Sequence, residues 1–531
     1  MKIAVVDALA RGFGSRYATF DVVGAGPRHV AGVAEKHGET VLLPYEKAVT
    51  NVTRLREFDV VMISAMSGDF GALSRLTSRL RKSGFKGNIV VGGPISFEYT
   101  KLLLALDIDY VIVGEGEIPV DKLLQKLAER SPDLASVPAL AYKNSEGAVK
   151  LTSSHLYTPR EVLALLEPWV RVDEAYENPQ VYRFYVEVVR GCSNFYRPLL
   201  KHGGYMCIEC HNCRSAVLTK RLGCPAGIPP GCGFCSVPYM FGYPRSRPIK
   251  SIVREVEGLL AHGARRIVLS APDFLDYMRE ELVESLILTD PCNPPPNVDA
   301  IEELLNALYS LEYLRSGRAV LMIENIKACL VNESVGKVLG RYLKGTTVHI
   351  GLETGCDWFN ERVLGKPIYL SHVLSACRIL RESGLRPYVY LMYDLPFASE
   401  EVYVCTKKAV DKLREVGVEK ITLYKFVNLP ATAFENIRPE TADRKVLSEL
   451  KSLVNRYNTA MKRRLLGDKL EVYLVESRGK LYGYPVKHGP VVFIKSRPES
   501  ASRLDGCRAL VKVVDIESRF VRGVITEVLE C

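Results

Sequence analysis

Short apolar runs of about four residues, each followed by a longer amphipathic stretch, recur along this chain from residue 3 to about residue 426. That alternation constrains the fold more than any other feature. A strand of four apolar residues is buried on both faces, and strands of that kind joined by helices pair in parallel. The first block places strands at 3–6, 40–43, 60–64, 89–92 and 110–113, with helical stretches at 27–37, 72–82 and 119–129. It predicts an N-terminal Rossmann-like parallel sheet over residues 1–150. Ligands of such sheets sit beyond the strand C-termini. The turns there carry Ser64, Gly92, Gly93, Gly114, Glu115 and Gly116. Glycine in these turns lets a bulky or phosphate-bearing ligand approach the backbone, and the same residues also make ordinary βα turns.

Residues 151–180, with three prolines and no clear period, read as a connector. A strand over 181–189 then restarts the pattern, with strands at 266–269, 319–323, 347–351, 387–393 and 420–426 and helices at 249–262, 370–383 and 401–416. This predicts a central partial (β/α) TIM-type barrel over 181–465, with its chemistry at the strand C-terminal ends. The turn-rich stretch 273–316 reads as an excursion over one barrel mouth. A charged helix follows at 441–465. After Gly467 the period becomes two, with five short strands at 470–475, 480–484, 490–494, 509–514 and 521–529, a small closed β-barrel of the oligonucleotide-binding type over 466–531. The chain is 47% hydrophobic and 25% charged, the balance of a globular protein, and no apolar run is long enough to span a membrane. Its start reads as a strand too short in apolar length for a signal peptide, so a cytoplasmic location is expected. The net charge of +10 permits an anionic partner without demanding one. The two glutamines among 531 residues hint at a thermophile.

The 14 cysteines are distributed unevenly: none precedes Cys192, and seven fall between 192 and 235. Clusters of this kind in a reducing compartment bind metal more often than they form disulfides. Cys232 and Cys235 form a Cys-x-x-Cys on a glycine-rich loop, and Cys192 closes the strand 40 residues earlier. Three thiolates can hold three irons of a [4Fe–4S] cluster and leave the fourth iron open. Between them, Cys207, Cys210 and Cys213 form a comb followed by Cys224-Pro225, a set suited to a second [4Fe–4S] cluster or to structural zinc, with His211 as an alternative zinc ligand. Cys292, Cys329, Cys356, Cys377, Cys405, Cys507 and Cys531 are scattered and read as small hydrophobes, with Cys356 the one nearest a predicted active-face loop.

On these residues the chain resembles the radical S-adenosylmethionine (SAM) superfamily. Arg190-Gly191-Cys192 and Cys232-Gly233-Phe234-Cys235 are similar to its cluster signature, with 39 residues where the family has three. Residues 263–274 resemble its second strand and loop. Gly351, Glu353 and Gly355, followed by Gly365-Lys366, resemble its Gly-Leu-Glu-Ser-Gly…Gly-Lys segment, and 387–396 and 423–434 resemble later strands. The resemblance implies Cys192, Cys232 and Cys235 as cluster ligands, Cys192 because it alone ends the first barrel strand. It also implies Phe234, Ser270, Gly351, Glu353 and Lys425 at SAM, with Tyr393 and Lys425 equally readable as a core aromatic and a structural ion pair.

Residues 1–150 resemble the cobalamin-binding domain that precedes many radical SAM domains, which implies Ser64, Gly92, Gly93, Gly114, Glu115 and Gly116 at cobalamin. No Asp-x-His-x-x-Gly is present, so no histidine is expected below the cobalt. Residues 467–531 resemble a TRAM domain as in tRNA methylthiotransferases. With eleven basic and nine acidic residues its electrostatic signal is faint, and Tyr473, Tyr482, Tyr484 and Phe493 fit either base stacking or a core. The resemblance implies reductive cleavage of SAM, supplied by an electron donor of the ferredoxin or flavodoxin type, and modification of an unactivated carbon by methyl or methylthio transfer, with RNA the substrate if the last domain binds it. The alternative is a non-catalytic zinc and RNA-binding protein on a degenerate radical SAM fold.

Overall fold

The structure is a computed structural model that describes residues 1–16, 20–129, 133–439, 443–477, 479–495 and 504–531. Residues 441–442, the expected start of the charged helix, lie outside the described residues. The chain divides into two compact units, one of residues 1–187, 240–242 and 247–264, the other of the remainder.

The first unit is built on a seven-stranded sheet. Strands Glu39–Pro44, Lys2–Asp7, Val60–Ser64, Asn88–Gly92 and Tyr110–Ile112 are parallel neighbours in that order. Ile3 to Val6 are fully buried, as an apolar run covered on both faces must be. Helix Phe70–Lys82 packs on the sheet through Leu73, Leu76 and Leu80, three or four residues apart, with Ala72 beside them. Because the second strand in the chain lies outside the first and the third lies inside it, strand order reverses between Lys2–Asp7 and Val60–Ser64. That reversal opens a crevice at their C-terminal ends. An antiparallel hairpin, Leu140–Lys143 with Val149–Leu151, extends the sheet and was not expected from the sequence.

Two expected boundaries differ. Residues 151–180 are not a connector but part of the first unit: Trp169 is 1% exposed and its backbone N–H donates to the Arg28 carbonyl. Helix Ile249–Ala261, read as part of the barrel, also groups with this unit. Its Glu255 sits between Arg28 and Arg247, 2.6 Å from each, and all three side chains are buried. Burial acts to raise the Glu255 carboxyl, but the two guanidinium groups outweigh it and hold the group down to about 2. A local helical period cannot reveal such a partner.

In the second unit, Arg266–Ser270 pairs in parallel with Val320–Ile323, and Thr347–Glu353, Arg386–Tyr393 and Lys420–Lys425 form a parallel trio. A bridge from Asn325 to His349 joins the two sets into one array of a partial (β/α) barrel. Helices Glu333–Leu343, Leu370–Glu382 and Glu400–Glu415 connect the strands. The expected excursion over 273–316 contains a further helix, Val298–Tyr309, capped by Asn297 and burying Ile301, Leu304, Leu305 and Leu308. The expected strand 181–189 is split: Arg183–Glu187 belongs to the first unit, and Val189–Arg190 pairs antiparallel with Arg245–Ser246 in the second.

The five C-terminal strands close into a barrel in the order Lys469–Ser477, Lys480–Pro485, Val492–Ile494, Val521–Glu530, Arg508–Ile516. Its core is Val472, Leu474, Leu481, Val492, Ala509, Val511, Val513 and Val521. Four scattered cysteines are not isolated hydrophobes: Cys292 is disulfide-bonded to Cys329, and Cys507 to Cys531. Pairs 37 and 24 residues apart leave no local pattern to read. Among the described residues no helix is long and apolar enough to cross a membrane.

Candidate active site

Cys192, Cys232 and Cys235 converge at one end of the second unit. Cys192 follows Val189–Arg190 after the single residue Gly191, and its sulfur accepts the Asn194 backbone N–H at 3.5 Å. The Asn194 side-chain amide donates to the Cys232 sulfur at 3.2 Å and to the Gly365 carbonyl at 3.0 Å. One asparagine therefore spans two thiols separated by 39 intervening residues. The Cys232–Cys235 loop is pinned by Gly233, whose N–H donates to the Leu364 carbonyl at 2.7 Å and whose carbonyl accepts the Phe434 N–H at 2.8 Å. A Cβ at Gly233 would lie 2.6 Å from the Phe434 ring, so only glycine fits. Burial pushes all three thiols up, Cys235 to about 11, and each of the two loop thiols feels the Cys192 charge.

Two half-buried ammonium groups face this trio. Burial opposes the charge on Lys366, but Glu353 and then the Cys232 thiolate outweigh it and raise the group. Lys366 ion-pairs with Glu353 and donates to the Gly351 carbonyl at 2.8 Å. A Cβ at Gly351 would lie 2.5 Å from the Glu353 carboxylate and 2.6 Å from the Lys366 nitrogen, so the missing side chain is what admits the pair. Lys327 acts on Cys192. Its nitrogen is 2.8 Å from the Ser193 hydroxyl, 2.9 Å from Asp273 and 2.7 Å from Asp276. Arg279 closes the network on Asp276. Burial raises Asp273; it acts to raise Asp276 too, but there Lys327 and Arg279 outweigh it and hold the carboxyl low. A thiolate is disfavoured by burial alone, and nearby cations offset that cost. The donor chemistry thus fits an iron–sulfur cluster: three half-buried sulfurs, an N–H donor to each of them, and cations to balance their charge.

The sequence-derived SAM residues separate into two groups. Gly351 and Glu353 adjoin the trio through Lys366. Phe234 lies within the cysteine loop, and Ser270 ends its strand with its carbonyl accepting the Val188 N–H at 2.9 Å. Lys425 is 62% exposed at its side chain and lies 3.7 Å from Asp394. Tyr393 is half-buried with Lys451 4.3 Å over its ring. Asn194, Lys327, Asp273 and Asp276 were not anticipated. Cys356, the scattered thiol singled out from the sequence, is buried and hydrogen-bonded to Cys405.

The comb also gathers. Cys207, Cys210, Cys213 and Cys224 line one small pocket with Arg197 and His211. Burial lowers the Arg197 charge, while Cys224, Cys213 and Cys210 act to raise it, in that order. Arg197 donates to the carbonyls of Ile228, Phe195, Arg221 and Leu222, holding the loop closed from inside. Arg214 donates to the Cys213 sulfur at 3.2 Å. Glu209 and His211 both have positive φ, 52° and 60°, which gives the comb its tight turns. Among the described residues no three His, Cys, Asp or Glu side chains are drawn together as ligands of a single ion.

At the first unit's crevice, Asp7 and Ser64 lie side by side at the strand ends. Buried Asp69 accepts the backbone N–H groups of Ala10, Gly12 and Met66 at 2.7–2.9 Å, tying the two flanking loops together. A Cβ at Gly93 would lie 2.7 Å from the Ala65 carbonyl, whereas one at Gly92 would meet open space. The N–H of Gly114 donates to Ser96 at 3.2 Å. Glu115 accepts the Thr158 N–H at 2.9 Å, so its carboxylate already holds the chain. Gly116 precedes helix Glu117–Leu127.

Comparison with known proteins agrees with this arrangement. The B12 binding domain family matches residues 16–124, and the Radical SAM superfamily matches residues 222–403. The second match spans Cys232, Cys235 and the Gly351–Lys366 segment; Cys192 lies outside it. The chain is 38% identical over 545 residues to uncharacterized protein MK0932 of Methanopyrus kandleri, covering 99% of this chain and 97% of that one. It is 37% identical to uncharacterized protein MJ1620 of Methanocaldococcus jannaschii over the full length of both. A tRNA-2-methylthio-N(6)-dimethylallyladenosine synthase of Phocaeicola vulgatus is 24% identical over 49% of this chain and 55% of its own. Among solved structures, the radical SAM methyltransferase TsrM of Kitasatospora setae shares the fold, with a TM-score of 0.56 and 14% identity over 82% of this chain and 74% of that chain. The cobalamin-dependent radical enzyme OxsB does so with a TM-score of 0.55 and 13% identity over 86% of this chain and 56% of that chain. The chain belongs, with its Methanopyrus and Methanocaldococcus relatives, to the radical SAM superfamily, among members in which a B12 binding domain precedes the radical SAM domain.

Proposed function

We propose that this radical SAM enzyme transfers a methyl or methylthio group from SAM-derived chemistry to an unactivated carbon, with RNA as the substrate class. The observation that carries the reading is the convergence of Cys192, Cys232 and Cys235 beside the Lys366–Glu353 pair. Cys192, Cys232 and Cys235 would hold the cluster, while Phe234, Ser270, Gly351, Glu353 and Lys425 would border SAM. When bound, the cluster supplies the electron that cleaves SAM, and cobalamin a methyl-carrying metal centre. The chain's own part is positional. Lys366 fixes the Glu353 carboxylate and compensates the charge of the Cys232 thiolate. Asn194 holds two ligand loops in register. The network of Lys327, Asp273 and Asp276 anchors the Cys192 turn through Ser193.

Methyl transfer is favoured by the crevice of the first unit, where Ser64, Gly92, Gly93, Gly114, Glu115 and Gly116 would border cobalamin, the group named in the TsrM and OxsB structures. Methylthio transfer is favoured by the four comb thiols and by the likeness to a methylthio-adenosine synthase, with those thiols holding a second [4Fe–4S] cluster or zinc. RNA is favoured by the last barrel's TRAM-like strand pattern and by one of its faces. Tyr482 and Phe493 meet edge to face at 5.8 Å, Phe520 adjoins Phe493, and Arg522 and Lys480 lie over the Phe493 ring. Aromatic and cationic groups so interleaved suit stacked bases. Tyr473, in contrast, is buried in the core. A small reducing partner of the ferredoxin or flavodoxin type would deliver the electron.

Incubating the anaerobically reconstituted protein with SAM carrying a labelled methyl group, a reductant, and RNA, lipid and peptide fractions tests the reading. Label in RNA is expected, and the product mass separates methyl from methylthio. Label confined to another fraction overturns the substrate class. A protein that takes up zinc but no iron or sulfide after reconstitution overturns the enzyme reading in favour of a non-catalytic zinc and RNA-binding protein.

A further inference from the structure

A second cavity, of about 650 Å³, lies in the second unit away from the cysteines. It is bounded by the start of Arg386–Tyr393, the start of Lys420–Lys425, the last turn of helix Arg444–Arg463 and the 518–519 turn of the C-terminal barrel. The cysteine-bearing end is at the opposite ends of these strands, about 20 Å away at ~3.3 Å per residue.

The walls are strongly one-sided in charge. Arg381, Arg386, Lys420, Lys462, Arg464 and Arg519 face a single carboxylate, Glu419. That carboxylate is committed to Arg386, which donates to it at 2.6 Å. Neither Arg464 nor Arg519 forms an ion pair among the described residues. Lys462 donates to the Glu517 and Ser518 carbonyls, which orients its ammonium without neutralising it. The cavity walls desolvate Lys420 and Lys462 and lower both, and Lys420 lowers Lys462 further by like-charge repulsion. Holding two ammonium groups together against that cost is relieved by an anion between them. The Tyr388 ring, with the Lys420 nitrogen 5.5 Å from its centre, adds an apolar face to the same wall.

We propose that this cavity is a phosphate site that grips the backbone of single-stranded RNA far from the reacting carbon. For the source of the phosphate the proposal leans on the RNA reading above; the anion site itself does not. An oligonucleotide held about 20 Å from the chemistry would be anchored independently of the nucleotide being modified.

The test is fluorescence anisotropy of a labelled single-stranded RNA 12-mer with the full-length protein across a salt series, with inorganic pyrophosphate in a second, calorimetric arm. Neither arm needs cluster, SAM or cobalamin, so the result is separable from the fate of the catalytic reading. The double variant Arg464→Glu/Arg519→Glu is expected to bind the 12-mer at least tenfold more weakly. Its log–log salt slope is expected to be shallower by about 1.4, at ~0.7 per lost single-strand phosphate contact. Arg464→Lys/Arg519→Lys is expected to keep both, and an unchanged melting temperature in the two variants confirms folding. Pyrophosphate binding that the Glu variant abolishes, with no RNA binding by the wild type, upholds the anion site and overturns RNA as its source. RNA and pyrophosphate binding that the Glu variant leaves unchanged overturns the proposal, even if RNA remains the substrate.

Discussion

The two cysteine sets of the second unit are made by different means. The trio of Cys192, Cys232 and Cys235 is assembled by the fold. One thiol sits just past a strand end, the others sit on a loop pinned between Leu364 and Phe434, and half-buried lysines face all three. The comb of Cys207, Cys210, Cys213 and Cys224 is assembled locally, by tight turns at Glu209 and His211 around one arginine, and Cys210 is exposed. A site held by the fold is tuned by distant residues. A site held by spacing depends on little beyond its own loop.

Substitutions in each set separate them most sharply. Cys232→Ala in the anaerobically reconstituted protein is expected to abolish SAM cleavage and remove roughly four irons per chain, the content of one [4Fe–4S] cluster. Cys210→Ala is expected to leave the trio's iron and SAM cleavage in place and to affect only the metal of the comb. Loss of both centres from Cys210→Ala would show that the two sets form one site.

The next effect is on stability. Lys327→Met leaves Asp273 and Asp276 buried with less compensation. Breaking a buried ion-pair network from one side costs about 3–5 kcal/mol. The expected readout is a markedly lower urea midpoint, together with weaker cluster retention, because Ser193 and the Cys192 turn lose their anchor. A variant as stable as the wild type would mean that the network is decoration. The corresponding substitution at the comb, Arg214→Met, removes one half-exposed contact to sulfur and is expected to shift the midpoint far less.

A smaller effect concerns acid. In the first unit Glu255 is held at about 2, against an ordinary 4.5. A depressed carboxyl contributes stability above its unfolded value and loses it as the pH falls through its folded value. That contribution is present above pH 4.5 and is lost progressively towards pH 2. Urea midpoints between pH 6 and pH 3 are expected to fall for the wild type and to fall less for Glu255→Gln.

Much of this architecture could be read from the chain. Val60–Ser64 appears with the bounds its apolar run implied, and all five C-terminal strands appear where alternation placed them, because both signals are local periods set by burial. The hairpin at Leu140–Lys143 and Val149–Leu151 escaped notice because short half-polar strands carry little period. The 151–180 segment was misread because its prolines hid a chain anchored by Trp169 and Thr158. At the site, thiol spacing singled out the seven cysteines that the fold gathers into two sets. Nothing local pointed to Asn194, Lys327 or Asp69, whose roles exist only once distant strands meet. The two disulfides were missed for the same reason.

The account rests on Cys192, Cys232 and Cys235 sharing one cluster with an iron left open to SAM. Electron paramagnetic resonance of the dithionite-reduced, reconstituted protein tests this directly. The account predicts a [4Fe–4S] signal that changes shape when SAM is added and whose SAM response is absent in Cys192→Ala. A signal indifferent to SAM, or a SAM response that survives Cys192→Ala, would contradict it.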